Sequence, residues 1–555
     1  MLIRASEESA FDRPSFRPSP EKISFMATKR CFVLGTVAFT KEPPLVQTKN
    51  GTFIGLRLAS LDQELFLGIP YGSPPVGPLR FKHPQPYTES WAGARNAIAH
   101  GPHCPGYGTG FTHSEDCLTI NVVRPGRRQN HGPLPVAVYI YGGGSHGGGS
   151  SDGRYNLSFL IASATQAGLP FIGVTFNYRS SIWGFIASRQ IRGRGDTNIG
   201  LHDQRLALHW VQENIVAFGG DPRKVTLWGG SSGADNVGRH LLAYGGRDEG
   251  LFRAAILQSG GPVSKTSLAS YPVQDIYDRL LRDTGCQDAE DALACLRHLP
   301  YANLNGAFQD SPDASSPSMV AFSLPVIDGD FIPTYGSLSL KGSHFVRVPI
   351  ITGVVSNEGS TWIPKEYPPP VIDRLMDLYP PIARQEGGEL DPPIESITNM
   401  AEFTRIEQLF GDLVINAANR LLCESYAVST TCYTFRFNAL VSHREDRRLG
   451  AIHGTEIGPL FQNTDGLGFY DNPFSGKGEG FHHMSHLMGM MWAGFITRLD
   501  PNAGFRNEKA LWPRFTLQTR YVVVFNESGS LVEQDTARFE AMRYLNEIQH
   551  SVFER

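Results

Sequence analysis

Residues 226–238 read TLWGGSSGADNVG and place two serines, Ser231 and Ser232, side by side among small residues. A serine hydroxyl attacks a carbonyl only when a base takes its proton, an acid orients that base, and donors receive the charge that develops on the carbonyl oxygen. Gly229, Ser231 and Gly233 satisfy G-x-S-x-G, in which the serine sits on a strained strand-to-helix turn that tolerates only small neighbours. The frame shifted by one residue, Gly230, Ser232 and Ala234, breaks that pattern. Ser231 is therefore the favoured nucleophile. A glycine-rich chain produces the pentapeptide by accident, so the rest of the sequence must supply the partners.

Donors come from YGGGSHGGGSS, which begins at Tyr141, the last residue of the apolar run VAVYIY. The main-chain N–H groups of Gly143 and Gly144, with that of Ser232, are expected to form an oxyanion hole, each donor contributing about 3 kcal/mol to the transition state. Gly142, Gly144 and Gly147 also fit the dinucleotide fingerprint G-x-G-x-x-G. Against it, no helix opens in SSDGRYN, and no acidic residue stands at the ribose position about 20 residues on. For acid and base, Glu358 follows the run PIITGVV in SNEG, and His453 lies in the glycine-flanked stretch LGAIHG. Among 54 acidic residues and 17 histidines neither position is singled out by its own surroundings.

Short β-branched runs start at Val136, Phe171, Lys224, Ala254, Pro349 and Cys432, and helical patterns alternate with them. Between the second and third, Leu208, Val211, Ile215 and Phe218 recur at helical spacing until Gly219 and Gly220 end the helix. This alternation predicts a largely parallel sheet covered by helices, with a site at the C-terminal ends of its strands. No repeat or charged linker divides residues 42–550, which read as one domain behind an N-terminal extension, residues 1–41.

The charge balance, 50 basic against 54 acidic residues, provides no basic field for nucleic acid or an anionic membrane. A small neutral partner fits better. The apolar stretch from His486 to Leu499 includes Arg498 and falls short of the roughly 20 residues of a membrane span, so it reads as a buried helix. No metal or cofactor is called for. Seven cysteines form three close pairs, Cys104 with Cys117, Cys286 with Cys295 and Cys423 with Cys432, and leave Cys31 over. Such spacings suit disulfides in an oxidising compartment or free buried thiols. From Met26, two basic residues, the apolar run Cys31–Phe39 and small residues at 36 and 38 resemble a short signal peptide over residues 26–38, or else a strand. The sequons at Asn50, Asn156 and Asn526 are glycosylation candidates in a secreted chain.

The chain resembles the type B carboxylesterases, a family that includes cholinesterases and fungal lipases. LGIPYGSPPVGPLRF from Leu67, SEDCLTINVVRP from Ser114, NYRSSIWGF from Asn177, the long run from Gly200 to Gly229, SNEG, AIHGTEI and DPN from Asp500 follow the family's order across roughly residues 42–545. The resemblance implies an α/β-hydrolase fold and a Ser231, His453, Glu358 triad that hydrolyses esters through an acyl-enzyme. It also implies that the pairs Cys104 with Cys117 and Cys286 with Cys295 are disulfides; the pairing of Cys423 with Cys432 stays open. Departures occur beside the nucleophile. The family carries an acidic residue before it and alanine after it, where this chain has Gly230 and Ser232, and an aromatic after the glycines, where it has Ser145. Ser232 is thus expected to contribute only its backbone N–H, and alanine there to preserve activity. Between Cys104 and Cys117 lie only the twelve residues PGYGTGFTHSED, without a tryptophan for a quaternary ammonium and with too little apolar surface for a lid. Soluble esters of small to medium size are the expected substrates, rather than choline esters or lipid droplets.

Overall fold

Strand-forming runs buried on both faces assemble as a central sheet. The computed structural model describes residues 42–106, 111–126, 132–264, 273–309, 324–361, 378–379, 400–441, 449–505, 512–553 and 555. Residues Pro43–Arg555 form one compact unit. Its main sheet has eleven strands: β1 (Leu56–Leu58), β2 (Gln63–Pro70), β3 (Thr119–Pro125), β4 (Leu134–Ile140), β5 (Ile172–Phe176), β6 (Gly220–Gly230), β7 (Ala254–Gln258), β8 (Ile350–Val355), β9 (Cys432–Phe437), β10 (Tyr521–Phe525) and β11 (Leu531–Gln534). Their spatial order is β11-β10-β9-β8-β7-β6-β4-β5-β3-β2-β1. Strands β4 to β10 pair in parallel, while both flanks of the sheet are antiparallel. A separate small sheet joins Leu45–Gln47, Thr52–Ile54 and Ala94–Asn96. All six runs singled out in the sequence are strands of the main sheet.

Parallel strands need crossovers, and helices make them. Helix α1 (Ile199–Asn214) continues as a 3₁₀ turn to Phe218 and ends at Gly219, whose φ of 87° is open to glycine and strained for other residues. Helix α2 (Ser232–Gly246) leaves β6 through the two serines and packs back on β6 and β7. The apolar stretch near His486 lies in α3 (Glu479–Arg498), whose Met488, Trp492, Phe495 and Ile496 are fully buried in the core. Among the described residues no helix is long and apolar enough to cross a membrane.

Three disulfides close short loops: Cys104–Cys117, Cys286–Cys295 and Cys423–Cys432. The third, left open by the sequence, ties the helix Ala417–Ala427 to the first residue of β9. Closing loops of 9 to 13 residues stabilises the fold by about 3 kcal/mol each in the chain-entropy picture. Cys31 and the signal-like segment 26–38 lie outside the described residues.

Candidate active site

The register of the central strands brings Ser231 and the glycine loop together. Ile140, at the end of β4, pairs with Gly229 near the end of β6, so both chains leave the sheet at the same level. A Cβ on Gly229 would lie 2.4 Å from the Gly233 carbonyl, and one on Gly233 would lie 2.1 Å from the Ile140 oxygen. These contacts are the physical content of G-x-S-x-G here: helix α2 starts so close to β4 and β6 that no side chain fits. Ser231, between them, adopts φ 55° and ψ −130°, a conformation costing about 1–3 kcal/mol that the surrounding structure must hold. The Ser231 N–H donates to Gln258 O at 2.8 Å, which anchors the turn to β7.

Glu358 and His453 arrive on neighbouring loops. Asn357 forms a bridge with Ile452: its N–H donates to Ala451 O at 2.9 Å, and its Oδ1 accepts from Ala451 N–H at 3.1 Å. One residue beyond this clamp, Glu358 is completely buried and its Oε2 lies 2.6 Å from His453 Nδ1. The other oxygen, Oε1, accepts from Val355 N–H at 3.0 Å. His453 Nε2 in turn lies 2.8 Å from Ser231 Oγ. Because a carboxylate only accepts, Nδ1 carries the imidazole proton and Nε2 is left to accept from the serine. The structure therefore brings Ser231, His453 and Glu358 into one hydrogen-bonded line.

Beside Ser231 the loop after β4 runs through Gly143, Gly144 and Ser145 with φ of 129°, 68° and 65°. Gly143 is exposed and Gly144 partly so, whereas Ser145 is buried. Ser232 is 1 % exposed, and its Oγ accepts from Ser145 N–H at 3.1 Å. The expectation for Ser232 named only its backbone N–H; the side chain makes this contact in addition. The side chain of Ser232 reaches the glycine loop, a contact between segments 87 residues apart that neither local motif contains. Glycines of the dinucleotide-like pattern lie in this loop, and the chain continues into a 3₁₀ turn at Gly153–Tyr155.

The sequons fall at different places. Asn50 donates its amide to Tyr87 O and Glu89 O, both at 2.9 Å, while Asn156 and Asn526 accept from the N–H groups of Ser158 and Ser528. Tyr107 lies outside the described residues; Phe111 is exposed and stacks on His103 at 4.2 Å. No group of histidine, cysteine and carboxylate side chains suited to a metal occurs among the described residues.

Glu456, three residues after His453, escaped the sequence reading although it stands in the quoted run AIHGTEI. It is buried, and its Oε1 accepts from Gln258 Nε2 at 3.4 Å. Burial, and then the nearby Glu358, push its carboxyl from 4.5 up to about 7, against the opposing influence of His453. A carboxyl raised in this way keeps its proton where the unfolded chain has lost it, so its contribution to stability falls as pH rises from 4.5 towards 7 and is constant above that. Glu407, raised to about 7 chiefly by burial, adds a slope of the same sign. Glu456→Gln should therefore shrink the difference in Tm between pH 5 and pH 8 without abolishing it. Calorimetry showing an unchanged difference would contradict this.

Comparisons with known proteins identify the family. Residues 42–377 match the model of the carboxylesterase family. Lipase 2 of Diutina rugosa is 32 % identical over 540 residues, covering 88 % of this chain and 92 % of the relative. Secreted lipase 1 of Botryotinia fuckeliana is 30 % identical over 524 residues, covering 85 % and 87 %. The crystal structure of Aspergillus niger EstA superposes with a TM-score of 0.78 at 26 % identity, covering 93 % of this chain and 99 % of that one. With an α/β-hydrolase sheet and this span of likeness, the chain belongs to the carboxylesterase family and is a carboxylic ester hydrolase.

Proposed function

We propose that the protein hydrolyses small to medium soluble esters through a Ser231, His453, Glu358 triad and an acyl-enzyme intermediate. The observation that carries this reading is the continuous line from Ser231 Oγ through the imidazole to Glu358, at 2.8 and 2.6 Å. His453 Nε2 takes the serine proton as Oγ attacks the ester carbonyl. Glu358 holds the resulting imidazolium in place, and the N–H groups of Gly143, Gly144 and Ser232 receive the oxyanion. The imidazolium then protonates the leaving alcohol, and water activated by the same nitrogen releases the acid.

A second reading, triacylglycerol hydrolysis, is favoured by the relatives named lipases. The short Cys104–Cys117 loop argues for soluble esters instead, because a twelve-residue segment lacks the area of an amphipathic lid that opens at a lipid surface. A panel of p-nitrophenyl esters is expected to give its highest kcat/KM at short to medium acyl chains, with no rise in tributyrin hydrolysis at the solubility limit. A jump at that limit would establish the lipase reading. Three disulfides and relatives named secreted support export of the protein, with glycan addition at one or more of its sequons.

A further inference from the structure

Two departures from the family's pattern touch each other. Ser232 stands where the family has alanine and Ser145 where it has an aromatic, and between these two buried residues the Ser145 N–H donates to the Ser232 hydroxyl at 3.1 Å. We propose that Ser232 is a positioning residue whose hydroxyl clamps the Gly143–Gly144–Ser145 loop, so that the oxyanion donors are held at the nucleophile before substrate arrives. This rests on the reading of Ser231 as nucleophile and of the glycine loop as oxyanion hole.

The loop needs such a clamp. Three successive residues have positive φ, and Ser145, which is not glycine, is strained at 65°. Its carbonyl accepts from Ser181 N–H at 2.7 Å, and the Gly143 carbonyl accepts from His146 N–H at 3.0 Å. Those bonds hold the carbonyl side of the loop. The hydroxyl of Ser232 accepts from the buried N–H of Ser145, and it extends from the same residue that supplies the third oxyanion donor. One residue thus fixes the loop with its side chain while its own N–H faces the oxyanion. Replacing Ser232 by alanine leaves that buried N–H without this acceptor, and a buried donor left unpaired drives its segment to shift. Oxyanion donors act through placement, and a shift below 1 Å is enough to weaken them in the transition state while leaving ground-state binding intact.

The test compares the full-length protein with its Ser232→Ala variant. Kinetics on a p-nitrophenyl ester are normalised to active sites titrated with a fluorophosphonate, and the labelled peptide is mapped by mass spectrometry. Affinity for a trifluoromethyl ketone, which binds as a tetrahedral adduct, is measured alongside. The expected result for Ser232→Ala is a fall in kcat of about 10- to 100-fold with KM within about twofold, a parallel loss of ketone affinity, and label on Ser231. Unchanged or higher kcat per titrated site in Ser232→Ala, with label still on Ser231, overturns the clamp and leaves the nucleophile assignment standing. A lowered Tm with unchanged kcat and ketone affinity overturns it too, because the hydroxyl then serves folding alone. Label on Ser232 of the parent protein overturns the nucleophile reading itself.

Discussion

Ser231→Ala is expected to slow ester hydrolysis about 10⁴-fold or more and to abolish labelling by a fluorophosphonate. The substitution removes one hydroxyl and keeps everything that positions it, including the 2.8 Å bond from residue 231 N–H to Gln258 O and the tight packing of Gly229 and Gly233. His453 and Glu358 then have no proton to take, and water at the site is not held at the φ 55° turn from which Oγ attacks. What remains is the oxyanion hole and binding, which leave a small residual rate over the uncatalysed reaction. Thermal unfolding should match the parent within about 3 °C, because the loss is chemical rather than structural. An active Ser231→Ala enzyme carrying label on Ser232 would show that the neighbouring serine is the nucleophile.

The parts of this site that the sequence reveals are those with a local cause. The turn around Ser231 is legible because Gly229 and Gly233 must be small for helix and strands to approach, and that requirement is written within five residues. The six sheet strands are legible because each is a short apolar run bounded by turn residues. Glu358 and His453 have no such signature, and only a family resemblance over the whole chain separates them from the other acids and histidines. What joins them is Asn357, whose hydrogen bonds to Ala451 are made between loops 94 residues apart. Nothing local announces that pairing. The same is true of Ser232 Oγ with Ser145, and of Glu456 with Gln258, 198 residues away. The residues that tune the site are long-range partners, while the residue proposed to react is marked by its neighbours.

Gly230 shows the consequence of one departure in physical terms. A Cβ placed there would meet Tyr139 Oη at 3.2 Å, so a side chain at this position requires Tyr139 to give way by a few tenths of an ångström. Glu456 is the further carboxyl close to Glu358 and His453, and it is largely protonated up to about pH 7. Glu358 is the carboxyl whose oxygen lies 2.6 Å from the imidazole. The dependence of this site on Glu358 is correspondingly strong.

Glu358→Gln is therefore expected to lower kcat by about 10³- to 10⁴-fold while leaving the fold in place. Glutamine matches the shape of the carboxyl, and its oxygen still accepts from Val355 N–H, which donates to Glu358 Oε1 at 3.0 Å. With the oxygen so engaged, the amide NH₂ takes the place of Oε2 beside His453 Nδ1, now 2.6 Å away. Two donors cannot face each other, so Nδ1 gives up its proton and accepts, and the ring's hydrogen moves to Nε2. The nitrogen facing Ser231 Oγ then donates instead of accepting, and the serine proton has nowhere to go. Loss of the Glu358 charge also removes one influence that raises the Glu456 carboxyl, whose ionisation should move to lower pH. That new charge does not restore the tautomer, since Oε1 of Glu456 is directed to Gln258 rather than to the imidazole. The rate loss should therefore persist at pH 8 with KM little changed. If Glu358→Gln retained more than about a tenth of the parent kcat at that pH, the orienting role assigned to Glu358 would have to pass to another carboxylate, with Glu456 the first to examine.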